Sequence, residues 1–201
     1  ACLHRRTSRR SIDHGGLAMS NSRASILALG SAAAVALAAL ACASFAKPSP
    51  RLVYNPSDSV PVGWYSIKPL EQDPTQQPTE LQVGSIVLVH LPAEAAALAA
   101  QRGYLPPRVP LLKRVGAVAP QRACVTGQVV RIDGHTAATA LSVDRMGRPL
   151  QGWPLCRRLQ TGEVFLLSVA NPASFDSRYF GPVRAADVIG IAQPLWLLER
   201  P

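Results

Sequence analysis

The chain has 201 residues, 48% hydrophobic but only 5% aromatic, with 18 Pro, 14 Gly and a formal net charge of +9. That length holds a short tail, one membrane segment and one domain of roughly 150 residues, and a single exported domain is the expectation. Five arginines and one Asp precede residue 24, leaving 16 basic against 11 acidic residues downstream; so modest an excess, with no basic run interleaved with aromatics, argues against nucleic acid as a partner.

Residues 1–23 read as a basic cytoplasmic tail. The chain starts at Ala1, and Met19 is a candidate true start with an over-extended reading frame ahead of it. From Ala24 to Ala46 there are 23 residues without a charge, eleven of them Ala. As a helix this segment spans about 35 Å, enough to cross a hydrocarbon core once. Three readings compete. An uncleaved signal anchor would keep Arg23 and the upstream arginines in the cytoplasm. A removable signal peptide would use the small residues of Ala41-Cys42-Ala43 or Ser44-Phe45-Ala46. A lipoprotein modified on Cys42 is disfavoured by Ala39, which stands where a larger aliphatic is expected. The anchor is the expectation, and all three readings export residues 47–201.

In that exported domain, Tyr54 to Tyr65 (YNPSDSVPVGWY) comes first. Pro56, Pro61 and Gly63 box in Ser57 and Ser59, which predicts a rigid turn presenting short hydroxyls. Taken alone it reads first as an ordinary Ser/Pro turn leading into the strand Gly63–Lys68. Glu71–Glu80, with Pro74 and Pro78, predicts a surface loop. Leu81–Leu91 is β-branched and predicts a strand, and Ala93–Arg102 a short Ala-rich helix. In the following apolar strand, Leu111, Lys113 and Val115 share one face. Burying an ammonium is costly unless it is paired or loses its proton, so Lys113 either snorkels at an edge or sits dry in the sheet. Cys124–Ile132, Leu141–Asp144, Glu163–Val169 and Val188–Leu198 complete the predicted strands, with a turn region at Met146–Trp153. Strands at these intervals without crossover helices predict a mainly β, antiparallel domain beside one N-terminal transmembrane helix.

Of four cysteines, Cys2 and Cys42 precede the domain. Cys124 and Cys156 are expected either to join in an oxidising compartment or to stay as buried thiols. If they join, the closed loop contributes on the order of 3 kcal/mol through the unfolded chain. No CxxC or His-rich spacing suggests a metal, and no cofactor is expected. His90 and His135 are the domain's histidines; one reads as structural, the other as solvated. Without a histidine partner or a GxSxG turn, the remaining nucleophilic arrangement is a serine with a lysine base. An ordinary lysine is protonated at pH 7. A drop of about three pKa units, roughly 4 kcal/mol, is needed for it to accept a serine proton, and a dry apolar strand supplies that.

At these residues the sequence resembles the S26 signal peptidases, which use a Ser/Lys dyad. The carrying motifs are Ser57-Asp58-Ser59-Val60-Pro61, Lys113-Arg114 and Asp176-Ser177-Arg178-Tyr179-Phe180-Gly181, in that order. The NPSDSVPVGWY form with one membrane segment most resembles the TraF-type branch, the conjugative-transfer peptidases. The resemblance implies a signal-peptidase-like catalytic domain over most of residues 24–198. It implies Ser59 as nucleophile and Lys113 as general base, with the Ser57 side chain and Ser59 N–H forming the oxyanion hole. It further implies Ser174 as the hydroxyl orienting the lysine, and Asp176 with Arg178 as a bracing ion pair. Gly84 fits the family's Gly-Asp strand opening, with Ser85 replacing the acid. Val60 replaces the housekeeping enzymes' usual Met, and Ser168-Val169-Ala170 replaces their Gly-Asp-Asn run, which favours the specialised branch.

The implied function is a membrane-anchored serine endopeptidase in the bacterial inner membrane, its catalytic domain in the periplasm. Its partner would be an exported precursor, a conjugative pilin, cut after small residues, with cyclisation by amine capture of the acyl-enzyme as the reaction some relatives add. The short link from Ala46 to Ser59 would hold the nucleophile near the lipid. Trp64 is expected in the core, with lipid contact as the other reading. The alternatives are a housekeeping signal peptidase I and a non-enzymatic scaffold of a secretion apparatus.

Overall fold

The computed structural model describes residues 21–45, 51–70 and 81–198. Most of the predicted basic tail, with Cys2 and Met19, and the predicted loop Glu71–Glu80 lie outside the described residues. The chain divides into two units, residues 1–48 and 49–201. In the first, α1 (Asn21–Phe45) is a 25-residue helix. Its segment Ser25–Cys42 is long and apolar enough to cross a membrane.

The second unit is mainly β, and every strand pair among the described residues is antiparallel. In chain order its elements are β1 (Leu52–Asn55), β2 (Gly63–Pro69), β3 (Ile86–Val89), α2 (Ala93–Gln101), β4 (Leu111–Val118), β5 (Arg122–Thr126), β6 (Val129–Ile132) and β7 (His135–Thr139). They continue with β8 (Cys156–Arg158), β9 (Glu163–Leu166), the single turn α3 (Ser177–Phe180), β10 (Val183–Arg184) and β11 (Val188–Leu197). Seven strands form one sheet in the order β1-β2-β11-β3-β4-β9-β10, and four form a second, β7-β6-β5-β8.

Alternation explains β2. Gly63, Tyr65 and Ile67 are buried, while Trp64 and Lys68 face solvent. Trp64 is therefore not the core residue expected: it is 43% exposed and packs on Tyr54 with ring centroids 5.2 Å apart. Two adjacent aromatics in a strand point to opposite faces, and Tyr65 took the inward one.

Strand β4 joins two parts of the large sheet. Its first half, Leu111 to Arg114, pairs with β3, and its second half, Val115 to Val118, pairs with β9 across a register shift between Val115 and Ala117. Gly116 sits at the shift, where a Cβ would lie 2.6 Å from the Leu167 Cβ, so only glycine admits this approach. One apolar cluster, with Val87, Val115 and Leu166, lies along the Lys113 face of β4. A second, with Val60, Tyr65, Leu88 and Leu112, lies on the opposite face. A third, with Val125, Val130, Trp153 and Phe165, fills the base of the four-stranded sheet.

Three predicted strands are shorter than expected, Glu163–Val169 ending at Leu166 as β9. Leu81–Leu91 contracts to β3 because Gly84, at φ 95°, turns the chain before Ile86. Leu141–Asp144 leaves only an isolated bridge from Val143 to Pro149, since Asp144 accepts hydrogen bonds from the N–H groups of Met146 and Arg148 and curls the segment into a turn. Cys124 and Cys156, register partners on β5 and β8, form a disulfide.

Candidate active site

The β1–β2 hairpin closes with Asn55 opposite Gly63, and the serines lie in the connection between them. Gly63 has φ 149°, and a Cβ there would lie 2.2 Å from the Trp196 carbonyl oxygen, so the sequence needs glycine where the turn re-enters the sheet. Inside the turn, Asn55 is buried. Its Nδ2 donates to the carbonyls of Ser57, Val60 and Pro61 at 2.8, 3.0 and 3.1 Å. The Tyr65 hydroxyl donates to the Pro61 carbonyl at 2.6 Å. Ser57 Oγ lies 2.8 Å from Ser59 Oγ. Ser59 is buried, whereas Ser57 faces solvent.

Lys113 is 3% exposed, opposite Val87 on β3. Its Nζ donates to Ser174 Oγ at 2.5 Å. Burial pulls its pKa from 10.5 down to about 8; the Asp176 carboxylate works against that shift, and the Arg178 guanidinium adds to it. At pH 7 roughly a tenth of a lysine with that pKa is neutral, against less than a thousandth of an ordinary one. The sheet therefore holds an amine that can accept a proton near neutral pH.

The third part runs from Ser168 to Arg178. Asp176 and Arg178 are both fully buried and meet side on, with Nε to Oδ1 at 2.7 Å and a second bond of 2.9 Å to Oδ2. Burying two charges costs several kcal/mol per ion unless every remaining donor and acceptor is used. Here they are. Arg178 sends its other N–H groups to the carbonyls of Thr139, Pro172 and Ser168. Asp176 also accepts from the Ser168 and Arg178 N–H groups. Arg178 thereby ties the end of β7 to the site, and Ser177 Oγ accepts the Leu166 N–H at 2.8 Å to pin α3 to β9.

Ser168 connects these parts. Its Oγ donates to the Ser59 carbonyl at 2.8 Å, while its N–H is held by Asp176. The structure thus brings Ser57 to Ser59 and Lys113 to Ser174, and links the turn to the buried pair through Ser168. The Ser59 hydroxyl is hydrogen-bonded to Ser57 and not to the Lys113 amine. His90 and His135 are exposed. Among the described residues, no cluster of His, Cys, Asp or Glu could hold a metal ion.

Beside Ser59 opens a cleft of about 550 Å³, lined by Asp58, Val60, Pro61, Val62, Arg114, Leu167, Ser168, Val169, Ala170 and Leu198. Its walls are mostly aliphatic. Two residues of this region had no role in the sequence reading. Asn55 carried a signal, an Asx residue before Pro-Ser in a turn. Ser168 carried only its place in the run that replaces Gly-Asp-Asn, and nothing there pointed to Ser59, 109 positions away.

The family model for signal peptidase, peptidase S26, matches residues 24–197. A probable conjugal transfer protein TraF of Sinorhizobium fredii is 34% identical over 69% of this chain and 73% of its own length. A plasmid transfer protein TraF of Escherichia coli is 31% identical over 84% of this chain and 93% of its own. A signal peptidase I structure from Enterococcus faecalis aligns over 55% of this chain and 94% of its own, at 18% identity and a TM-score of 0.33.

Proposed function

The chain belongs to the signal peptidase S26 family, and from that premise we propose that it is a membrane-anchored serine endopeptidase acting through Ser59 and Lys113. The neutral amine of Lys113 takes the Ser59 proton, and Ser59 Oγ attacks the scissile carbonyl carbon. The oxyanion is met by the Ser59 N–H and the Ser57 hydroxyl. Lys113, now an ammonium, gives its proton to the leaving amine. The same residues then run the sequence again with water, releasing the acid and freeing Ser59. Ser174 keeps Nζ in place throughout. For this cycle the Ser59 hydroxyl leaves Ser57 and turns toward the amine.

The observation that carries the reading is the burial of Lys113 with its pKa near 8. The TraF relatives, named for conjugal and plasmid transfer, support a substrate in that pathway. Residues 47–201 are then the exported catalytic domain, periplasmic and held to the bacterial inner membrane by residues 24–46. The substrate is an exported precursor, a conjugative pilin, cut after small residues in an Ala-x-Ala pattern that the aliphatic cleft accommodates. Capture of the acyl-enzyme by a chain's own amine in place of water would join its ends.

The test is cleavage of a pilin precursor by the full chain in detergent or vesicles. Ser59→Ala and Lys113→Ala are each expected to lower kcat about 10⁴-fold or more with the fold intact by circular dichroism. Cleavage that persists in either variant overturns the assignment. Equal activity on general secretory precursors would replace the dedicated pilin role with a housekeeping one.

A further inference from the structure

Asn55 grips the serine turn with both ends of its carboxamide, and chemistry fixes which end is which. Three carbonyl oxygens, those of Ser57, Val60 and Pro61, lie within 3.1 Å of one end, so that end is the NH₂ group. The oxygen end, Oδ1, then accepts from the Ser57 N–H at 3.2 Å and from the Ser57 hydroxyl at 2.9 Å. The second bond has a consequence for the serine pair. A hydroxyl has one proton, and Ser57 gives its own to Asn55. Between Ser57 Oγ and Ser59 Oγ, 2.8 Å apart, Ser59 is therefore the donor and Ser57 the acceptor.

We infer that Asn55 is a positioning residue of the peptidase reaction: it fixes the backbone and hydroxyl oxygen of Ser57 before substrate arrives, so that only the Ser57 proton has to turn to meet the oxyanion. The inference rests on the peptidase reading of Ser59 and adds a residue to it. In the resting protein Ser57 donates to Asn55. As charge develops on the substrate oxygen, Ser57 turns its proton to that oxygen, and Asn55 Oδ1 keeps the Ser57 N–H, so the turn does not move. The interaction with the oxyanion is then made only in the transition state, where it raises kcat rather than ground-state binding. The other side chains that bind the turn hold different groups: Tyr65 holds the Pro61 carbonyl and Ser168 the Ser59 carbonyl, while Asn55 holds Ser57.

The experiment is a double-mutant cycle on the full chain in detergent, reading cleavage of a synthetic peptide with Ala at the first and third positions before the scissile bond. Ser57→Ala is expected to lower kcat about 10²- to 10³-fold, as loss of one oxyanion donor does. Asn55→Ala is expected to lower kcat at least about 10-fold with KM changed less than about threefold. Because Asn55 acts through Ser57, the double variant should be no slower than Ser57→Ala within about threefold. Losses that multiply, or a change confined to KM, overturn the inference while leaving the peptidase reading standing. If Asn55→Ala does not fold, Asn55→Asp takes its place in the same cycle, because it keeps the size and the acceptor for Ser57 but sets an oxygen against three carbonyls. Cleavage by Ser59→Ala, or none by the unaltered chain, sinks the peptidase reading and this inference with it.

Discussion

Two acid–arginine clusters in the exported unit are built from the same residue types and behave differently. Around Asp176 and Arg178 both side chains are fully buried, and every donor of the guanidinium is used. Around Asp144, the Arg148 side chain is 38% exposed, and Arg102 and Tyr104 complete the group from the far end of α2. Partial burial pushes the Asp144 carboxyl up, but hydrogen bonds from Tyr104, Arg148 and Met146 outweigh it and hold it well below the usual carboxylate range. The Asp144 cluster closes a surface turn, and its charges are not among those that act on Lys113. The Asp176 cluster sits where its field reaches Lys113, so its charges help set the protonation of the amine. What separates a tether from a tuned site is therefore burial and neighbours, not the presence of an ion pair.

The sharpest way to break that contrast is to remove one partner from the buried pair. Asp176→Ala leaves the Arg178 guanidinium dry and uncompensated and should cost about 3–5 kcal/mol, read by denaturant unfolding. A loss under about 1 kcal/mol would place this pair in the same class as surface ones. Separating Cys124 from Cys156 by a Cys→Ala pair should cost on the order of 3 kcal/mol through the unfolded chain. It should leave the pH dependence of cleavage unchanged, which makes it the stability control for the site variants.

Lys113 gives the next effect, of opposite sign. Its folded-state pKa, about 8, lies below the ordinary 10.5. Between those values the unfolded chain holds a proton that the folded one lacks, so stability rises with pH across that window. Below about pH 8 both states are charged and the folded one carries the full cost of the buried ammonium. Lys113→Met should therefore raise stability at pH 7 by about 2–3 kcal/mol, flatten the slope between pH 8 and 10.5, and abolish cleavage. A destabilised Met variant would show that the amine is not paying for its burial. The smallest effect is at the surface cluster. Asp144→Asn should loosen the turn at residues 141–150, seen as faster amide exchange at Met146 and Arg148, without altering the pH profile.

The sequence made some of this plain and hid the rest for physical reasons. Lys113 was legible because a strand's two-residue alternation sets it between Leu111 and Val115, and the structure buries it there. The Ser57–Ser59 turn was legible from its prolines and glycine. The strands at Glu163–Val169 and Val188–Leu198 announced themselves by composition; β11 fills nearly all of the second and β9 the first four residues of the other. Trp64 was misread because alternation gives the period of a strand but not its phase. The short strands Leu52–Asn55, His135–Thr139 and Cys156–Arg158 are polar or brief, and only their neighbours make them strands. Ser168 stood out only as a departure from the family's Gly-Asp-Asn run; its bond to Ser59 was hidden, since it depends on the chain returning from 109 positions away.

The central claim is that one buried amine is neutral often enough to act as a base, and the pH dependence of kcat/KM for peptide cleavage by the full chain tests it most directly. The account predicts a rise governed by a single ionisation near pH 8, lost in Lys113→Ala. A profile flat from pH 6 to 9, or one that the Lys113→Ala variant reproduces, would contradict it.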